Sequence, residues 1–284
     1  MIKVKWFLRY GGHCTQLEKM ILSNRPWQKR IMPALFSLIE HPTQGLLLFD
    51  TGYSPAFFTA TEAFPYRLYR YATPVTFTEQ QAAVNQINHL GYSQDDIKTI
   101  ILSHLHADHI CGINDFPAAN FLVTQTAYQE VANKKGFAAL RRGFIPSLLP
   151  NDFRERVQWI EQTTKIPLTN EFSPFTEGYD LFGDQSIIAV ELPGHAAGQI
   201  GILFHTVEDK TIFLIADGCW TSESYRLKQM PHPITNFITH DPTAYRQTLS
   251  HIHQFAKQHP HVKIIPSHCI QTWNQIQAER REQP

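Results

Sequence analysis

Apolar residues along this chain gather into short runs bounded by Gly, Pro or Asp, a pattern that predicts strands. The clearest are Leu35 to Glu40, Leu46 to Asp50, Thr99 to Ser103, Asn120 to Thr124, Ser186 to Leu192, Gln199 to His205, Thr211 to Ala216 and Val262 to Pro266. Met1 to Tyr10 reads as a first strand. Between the runs, Thr78 to Leu90 opens on Thr-x-Gln-Gln and stops at Gly91, and Pro242 to Gln258 follows Asp241, a good N-cap; both predict helices. Short strands interleaved with helices predict an α/β fold with two mixed β-sheets and outer helices.

Two stretches fit neither period. Residues 53–77 and 134–162 are rich in aromatic and aliphatic side chains, Phe64 and Phe144 among them, and are expected to be irregular, lid-like segments that wall an apolar cleft, line a dimer interface or pack as loops. No internal repeat or Gly/Ser linker divides the chain, so residues 1–284 are expected to form a single domain.

Composition narrows the function. Lys plus Arg and Asp plus Glu number 25 each, so no basic field favours nucleic acid and no acidic tail is present. The first residues lack the apolar stretch of a secretion signal, and no apolar run reaches the roughly 18 residues that cross a membrane. A cytoplasmic protein without membrane or nucleic-acid partners is expected, acting on a small molecule, with a homodimer left open. The four cysteines, Cys14, Cys111, Cys219 and Cys269, have no Cys-x-x-Cys spacing and read as reduced, packed thiols.

The chemistry lies at strand ends. After Thr99 to Leu102 comes Ser103-His104-Leu105-His106-Ala107-Asp108-His109, four potential ligands within six residues. In an extended segment His104 and His106 point the same way, and a turn at Ala107 returns Asp108 and His109 to the same space. Three further apolar strands run into His195, Asp217 and His268. Sheets fix such ends rigidly and loops converge there, so these seven residues are the candidate metal ligands. Imidazoles and carboxylates suit two divalent ions, Zn²⁺ foremost with Fe or Mn open, rather than Mg²⁺ or Ca²⁺. A hydroxide shared by two such ions would attack a carbonyl carbon, with Asp108 orienting that hydroxide and carrying its proton to the leaving group. His240, His251, His253, His259 and His261 have no strand end to focus them and read as solvated or structural, and His13 and His41 are uninformative.

On these residues the chain resembles the metallo-β-lactamase superfamily, whose His-x-His-x-Asp-His motif is met by His104, His106, Asp108 and His109, with the later ligands met in order by His195, Asp217 and His268. The resemblance covers nearly the whole chain and implies an αββα sandwich. It implies a first metal on His104, His106 and His195, a second on Asp108, His109 and His268, and Asp217 bridging. Asp50 resembles the family's early strand-end Asp and either supports a ligand His or closes a turn before Gly52.

Departures sort the branches. Asp217 argues against antibiotic hydrolysis, where another residue takes the bridging place, and His106 argues against the flavodiiron type, which has Glu there. RNA-processing relatives need a basic arm or inserted domain that is not found, and the sixteen residues after His268 leave little room for the helical domain of glyoxalase II-type thioesterases. The chain is most similar to the compact lactonase-like (N-acyl homoserine lactonase) group. That resemblance implies hydrolysis of an ester, lactone or related carbonyl substrate, with a lactone bearing an apolar portion first. A thioester hydrolase and a non-catalytic metal-binding protein are the alternatives. Trp220 stands where that group has a substrate-contacting Tyr, and Tyr225 is a candidate replacement.

Overall fold

In a computed structural model that describes residues 2–281, the short apolar runs become thirteen strands in two sheets. The first holds β1 (Lys5–Leu17), β2 (Lys29–His41), β3 (Gly45–Phe49), β4 (Val75–Thr76), β5 (Ile97–Ile101), β6 (Asn120–Val123) and β7 (Val157–Trp159) in the order β4-β1-β2-β3-β5-β6-β7. The second holds β8 (Thr164–Pro167), β9 (Glu177–Asp180), β10 (Ile187–Glu191), β11 (Ile200–His205), β12 (Thr211–Ala216) and β13 (Lys263–Pro266), ordered β13-β12-β11-β10-β9-β8. Both sheets mix parallel and antiparallel pairs: β3, β5, β6 and β7 are parallel, as are β12 and β13.

Side-chain alternation explains the layering. In β12 every residue is buried: Ile212, Leu214 and Ala216 face the first sheet while Phe213 and Ile215 face the outer helix Pro242–Gln258. A strand covered on both faces reads as a continuous apolar run. The inter-sheet core adds Leu35, Ile39, Phe49 and Ile101 from one side and Ile187, Ile200 and Ile202 from the other. The helix Pro242–Gln258 starts as expected, Asp241 accepting from the backbone N–H of Thr243 and Ala244 at 2.8 and 3.0 Å, and it buries Leu249, Ile252 and Phe255, each contributing about 1.5–3 kcal/mol.

Several boundaries differ from expectation. The first strand runs on to Leu17 past a register shift between Tyr10 and His13, and Met1 lies outside the described residues. Residues 78–90 form no single helix: a 3₁₀ turn, Glu79–Gln81, and a helix, Ala83–His89, are separated at Ala82, whose ψ of 137° is extended. The stretches expected to be irregular carry short helices, Pro55–Ala60 and Arg67–Ala72 in the first and Gly136–Leu140 and Phe153–Arg156 in the second, which also supplies β7. Each is too brief to show a period in sequence. A helix Ile270–Arg281 after β13 was not anticipated. Among the described residues no helix is long and apolar enough to cross a membrane.

Candidate metal centre

Strand direction brings the chemistry together. In one sheet β3 and β5 are parallel; in the other, β10 and β12 each run antiparallel to β11 and so share a direction with β13. The C-terminal ends that carry Asp50, His104, His195, Asp217 and His268 therefore open at one edge of the sandwich. Backbone bonds tie the sheets there, Ile200 N–H donating to Ser103 O and Leu35 N–H to Ser267 O, both at 3.0 Å. Two non-glycine residues at this edge, Asp50 and Ala216, hold left-handed backbone with φ of 60° and 46°. Such strain persists only where surrounding structure enforces it, and here it aims the ends of β3 and β12 inward.

All seven predicted ligands meet in this space, forming three overlapping groups: His104, His106 and His195; His104, His109 and Asp217; Asp108, His109 and His268. His195 Nε2 stands 2.9 Å from His106 Nδ1 and 3.1 Å from Asp217 Oδ2. His268 Nε2 lies 3.2 Å from the same Asp217 oxygen and 3.4 Å from Asp108 Oδ2, while His109 Nε2 is 3.5 Å from Asp217 Oδ1. Asp217 thus touches imidazoles of both outer groups. All are buried except His106 and Asp108, which are half-buried and face the cavity above.

The surrounding hydrogen bonds assign the ring tautomers. Asp50, fully buried, accepts from Ser103 N–H and Ser103 Oγ–H at 2.8 Å each and from His109 Nδ1–H at 2.7 Å. With its proton committed to Asp50, Ser103 Oγ accepts from His104 Nδ1–H at 3.0 Å. His268 Nδ1–H donates to Pro33 O at 2.6 Å. Each of these three rings is left with its Nε2 facing the centre, where a metal would take its lone pair.

Those lone pairs test the fit of a metal. His104 Nε2, His109 Nε2 and Asp217 Oδ1 are buried with no protein hydrogen-bond partner. A buried polar atom without a partner costs about 1–3 kcal/mol, and several converging acceptors require cations between them. Five imidazoles and two carboxylates match borderline divalent metals. The electrostatics favour neutral rings at His104 and His106 and a charged one at His109, whose second proton a metal would displace. Burial and the neighbouring rings hold the pKa of His104 and His106 well below the ordinary value. Burial opposes charge on His109 too, but Asp50, Asp108 and Asp217 outweigh it and raise its pKa. Burial would raise Asp217, yet His268, His195 and His109 hold it well below the usual carboxylate range.

Above the centre lies a mostly apolar cavity of about 560 Å³, in the range of small-molecule sites. Leu68 and Tyr69 come to it from the first unusual segment, Phe137, Leu140, Arg141 and Gly143 from the second. Two expectations about its walls need correction. Phe144 is buried in the core beneath, and Phe64 is exposed, packed edge-on against Phe137; neither lines the cavity. Tyr225 also packs elsewhere, in the core under the second sheet, while Trp220 does line the cavity and donates its Nε1–H to Asp217 Oδ2 at 3.1 Å.

Tyr69 belongs to the aromatic stretch expected to wall a cleft, whereas sequence reasoning missed Arg141 and Gly143. Only the glycine left a trace, as a residue able to take φ of +61°: a Cβ there would sit 2.6 Å from His106 Cδ2, so the backbone itself buttresses that ring. Of the remaining histidines, His41, His253 and His259 bond Ser186 Oγ, Tyr225 O and Ser173 O, away from the centre.

Comparison with known proteins agrees with this architecture. The chain is 25% identical to the N-acyl homoserine lactonase AttM of Agrobacterium fabrum, covering 85% of this chain and 84% of that one, and 25% identical to AiiB of the same organism, covering 89% of each. Among solved structures, an N-acyl homoserine lactone hydrolase with N-hexanoyl-L-homoserine at its catalytic metal centre superposes with a TM-score of 0.73 at 20% identity, over 97% of this chain and 96% of that one. The dizinc quorum-quenching lactonase AidC superposes at 0.63 with 14% identity, over 95% and 88%; at these identities the likeness speaks for the fold. The family model of the metallo-beta-lactamase superfamily matches residues 32–215, and with the αββα layers and clustered motif already described, this chain belongs to that superfamily.

Proposed function

We propose that this protein is a metal-dependent hydrolase that opens a lactone bearing an apolar chain, with zinc as its resident metal. The observation that carries the reading is the set of buried, unsatisfied imidazole and carboxylate donors at the floor of an apolar cavity. His104, His106 and His195 would hold one ion, Asp108, His109 and His268 the other, with Asp217 reaching both. When bound, the ions supply a water whose pKa is lowered to about 7 and draw electrons from the substrate carbonyl.

The protein's own groups do the rest. Asp108 faces the cavity with its second oxygen beside His268; its carboxylate takes the proton of the attacking water. The new C–O bond forms at the carbonyl carbon, the ring C–O bond breaks, and Asp108 returns the proton to the leaving alkoxide, giving a hydroxy acid. Asp50 and Ser103 lock the imidazoles, and Trp220 fixes the Asp217 carboxylate. Residues 53–77 and 134–162 wall the cleft, holding the apolar chain and excluding water. The lactone class is supported by the relatives named N-acyl homoserine lactonases. Four free, buried cysteines support a reducing, cytoplasmic setting.

Metal analysis joined to a panel of acyl homoserine lactones, thioesters and aryl esters tests this. Two zinc ions per chain and preference for lactones are expected. Asp108→Asn should lower kcat by about 10²–10⁴ while the fold persists. Thioester turnover alone would displace the lactone, and a metal-loaded protein inert to the whole panel would leave a binding protein.

A further inference from the structure

The cavity above the metal centre carries a positive charge that hydrolysis itself leaves unused. Arg141 is the only Lys or Arg among its described lining residues. Its neighbour Arg142 is committed to Glu130 at 2.7 Å, a carboxylate that Lys134 and His240 also approach; among the described residues Arg141 has no acidic partner. The only protein hydrogen bond its guanidinium makes there is from Nε–H to Phe237 O, at 3.5 Å, which leaves both terminal NH₂ groups free. The Phe237 ring, itself exposed, lies 5.0 Å from the guanidinium carbon and gives the fork one cation–π contact. Two other polar side chains on this wall are already engaged: Gln16 Nε2–H donates to Ala72 O and Thr73 Oγ1, and Thr235 Oγ1–H to His232 O.

Its position is set by the centre. Gly143, two residues on and so within ~7.6 Å along the chain, packs against the His106 ring and accepts from Ala107 N–H at 3.0 Å. Arg141 is itself exposed while lining the cavity, so its fork stands on the cavity's open side, away from the buried ligands of the floor. A molecule with its reacting carbonyl on the floor can extend its chain toward this open side, where Arg141 stands.

We propose that Arg141 is a specificity residue selecting substrates whose apolar chain ends in a carboxylate. A planar guanidinium with two free NH₂ groups matches a carboxylate's two oxygens, and a single cation, with no second one on the wall, suits a monoanion better than a phosphate dianion. The inference rests on the hydrolytic reading of the site below it.

The test uses metal-loaded enzyme and two N-acyl homoserine lactones of equal length, one ending in carboxylate and one in methyl. The wild type should favour the carboxylate in kcat/KM; in Arg141→Met that ratio should fall about tenfold, mainly through KM, and Arg141→Lys should keep part of it. Equal ratios in wild type and Arg141→Met overturn the proposal while leaving the lactonase reading intact. Should neither lactone turn over, the lactonase reading fails, and calorimetric binding of the same two lactones to the metal-loaded proteins decides about Arg141: weakened binding of the carboxylate-ended lactone alone in Arg141→Met sustains the proposal, and equal or no change in the two overturns it.

Discussion

At the scale of single residues, Asp50 shows how a group that touches no substrate governs the centre. Its two oxygens receive three donors, from Ser103 and His109, and through Ser103 Oγ it reaches His104 as well. Replacing it removes the acceptor that holds His109 in its Nδ1–H tautomer. Asp50→Asn is expected to weaken zinc binding about 10–100-fold, measured by competition with a coloured chelator; unchanged affinity would return Asp50 to the role of a turn residue. The ligand types were readable from the chain alone because His and Asp crowd into the run His104 to His109. Ser103 was passed over, since a serine beside a motif carries no period and its worth lies in one hydroxyl placed between two rings.

At the scale of elements, the turn that delivers the motif has a cost of its own. The short helix Ala107–Ile110 leads into a 3₁₀ turn, Ile113–Asp115, where Asp115 Oδ2 is buried without a partner and burial pushes the carboxyl pKa up to about 6 from 3.8. Since the folded value is the higher one, ionisation opposes folding: the penalty is absent below about pH 4, grows between pH 4 and 6, and is complete above that. Asp115→Asn should stabilise by about 1–2 kcal/mol at pH 8, a figure reduced for partial solvation, and by nothing at pH 4, read from urea unfolding. An equal effect at both values would sink this account. Among the longer elements, Pro242–Gln258 was legible because seventeen residues show both a cap and a period. The helices of four to six residues in 53–77 and 134–162 were not, because packing rather than propensity sustains them.

At the scale of the whole molecule, the centre is a clasp between the two sheets: His104 and His109 follow β5 of one, while His195, Asp217 and His268 follow β10, β12 and β13 of the other. Metal bound across them should add to stability by linkage, about 4 kcal/mol at a thousandfold excess over Kd. Chelation is therefore expected to lower Tm by ~10 °C, with recovery on adding zinc, as followed by calorimetry; a Tm indifferent to chelator would mean that the sheets hold together without it. What the sequence by itself determined was the class of layers and which His and Asp side chains are the candidate ligands. Both are written locally, in alternation that burial enforces and in His and Asp placed directly after apolar runs. Which of those strand ends share an edge, that Phe144 sinks into the core while Arg141 rises to the rim, and that Tyr225 turns away where Trp220 meets Asp217, were decided by the tertiary structure alone. They depend on parallel pairing and inter-sheet packing between residues far apart in the chain, and no local pattern records them.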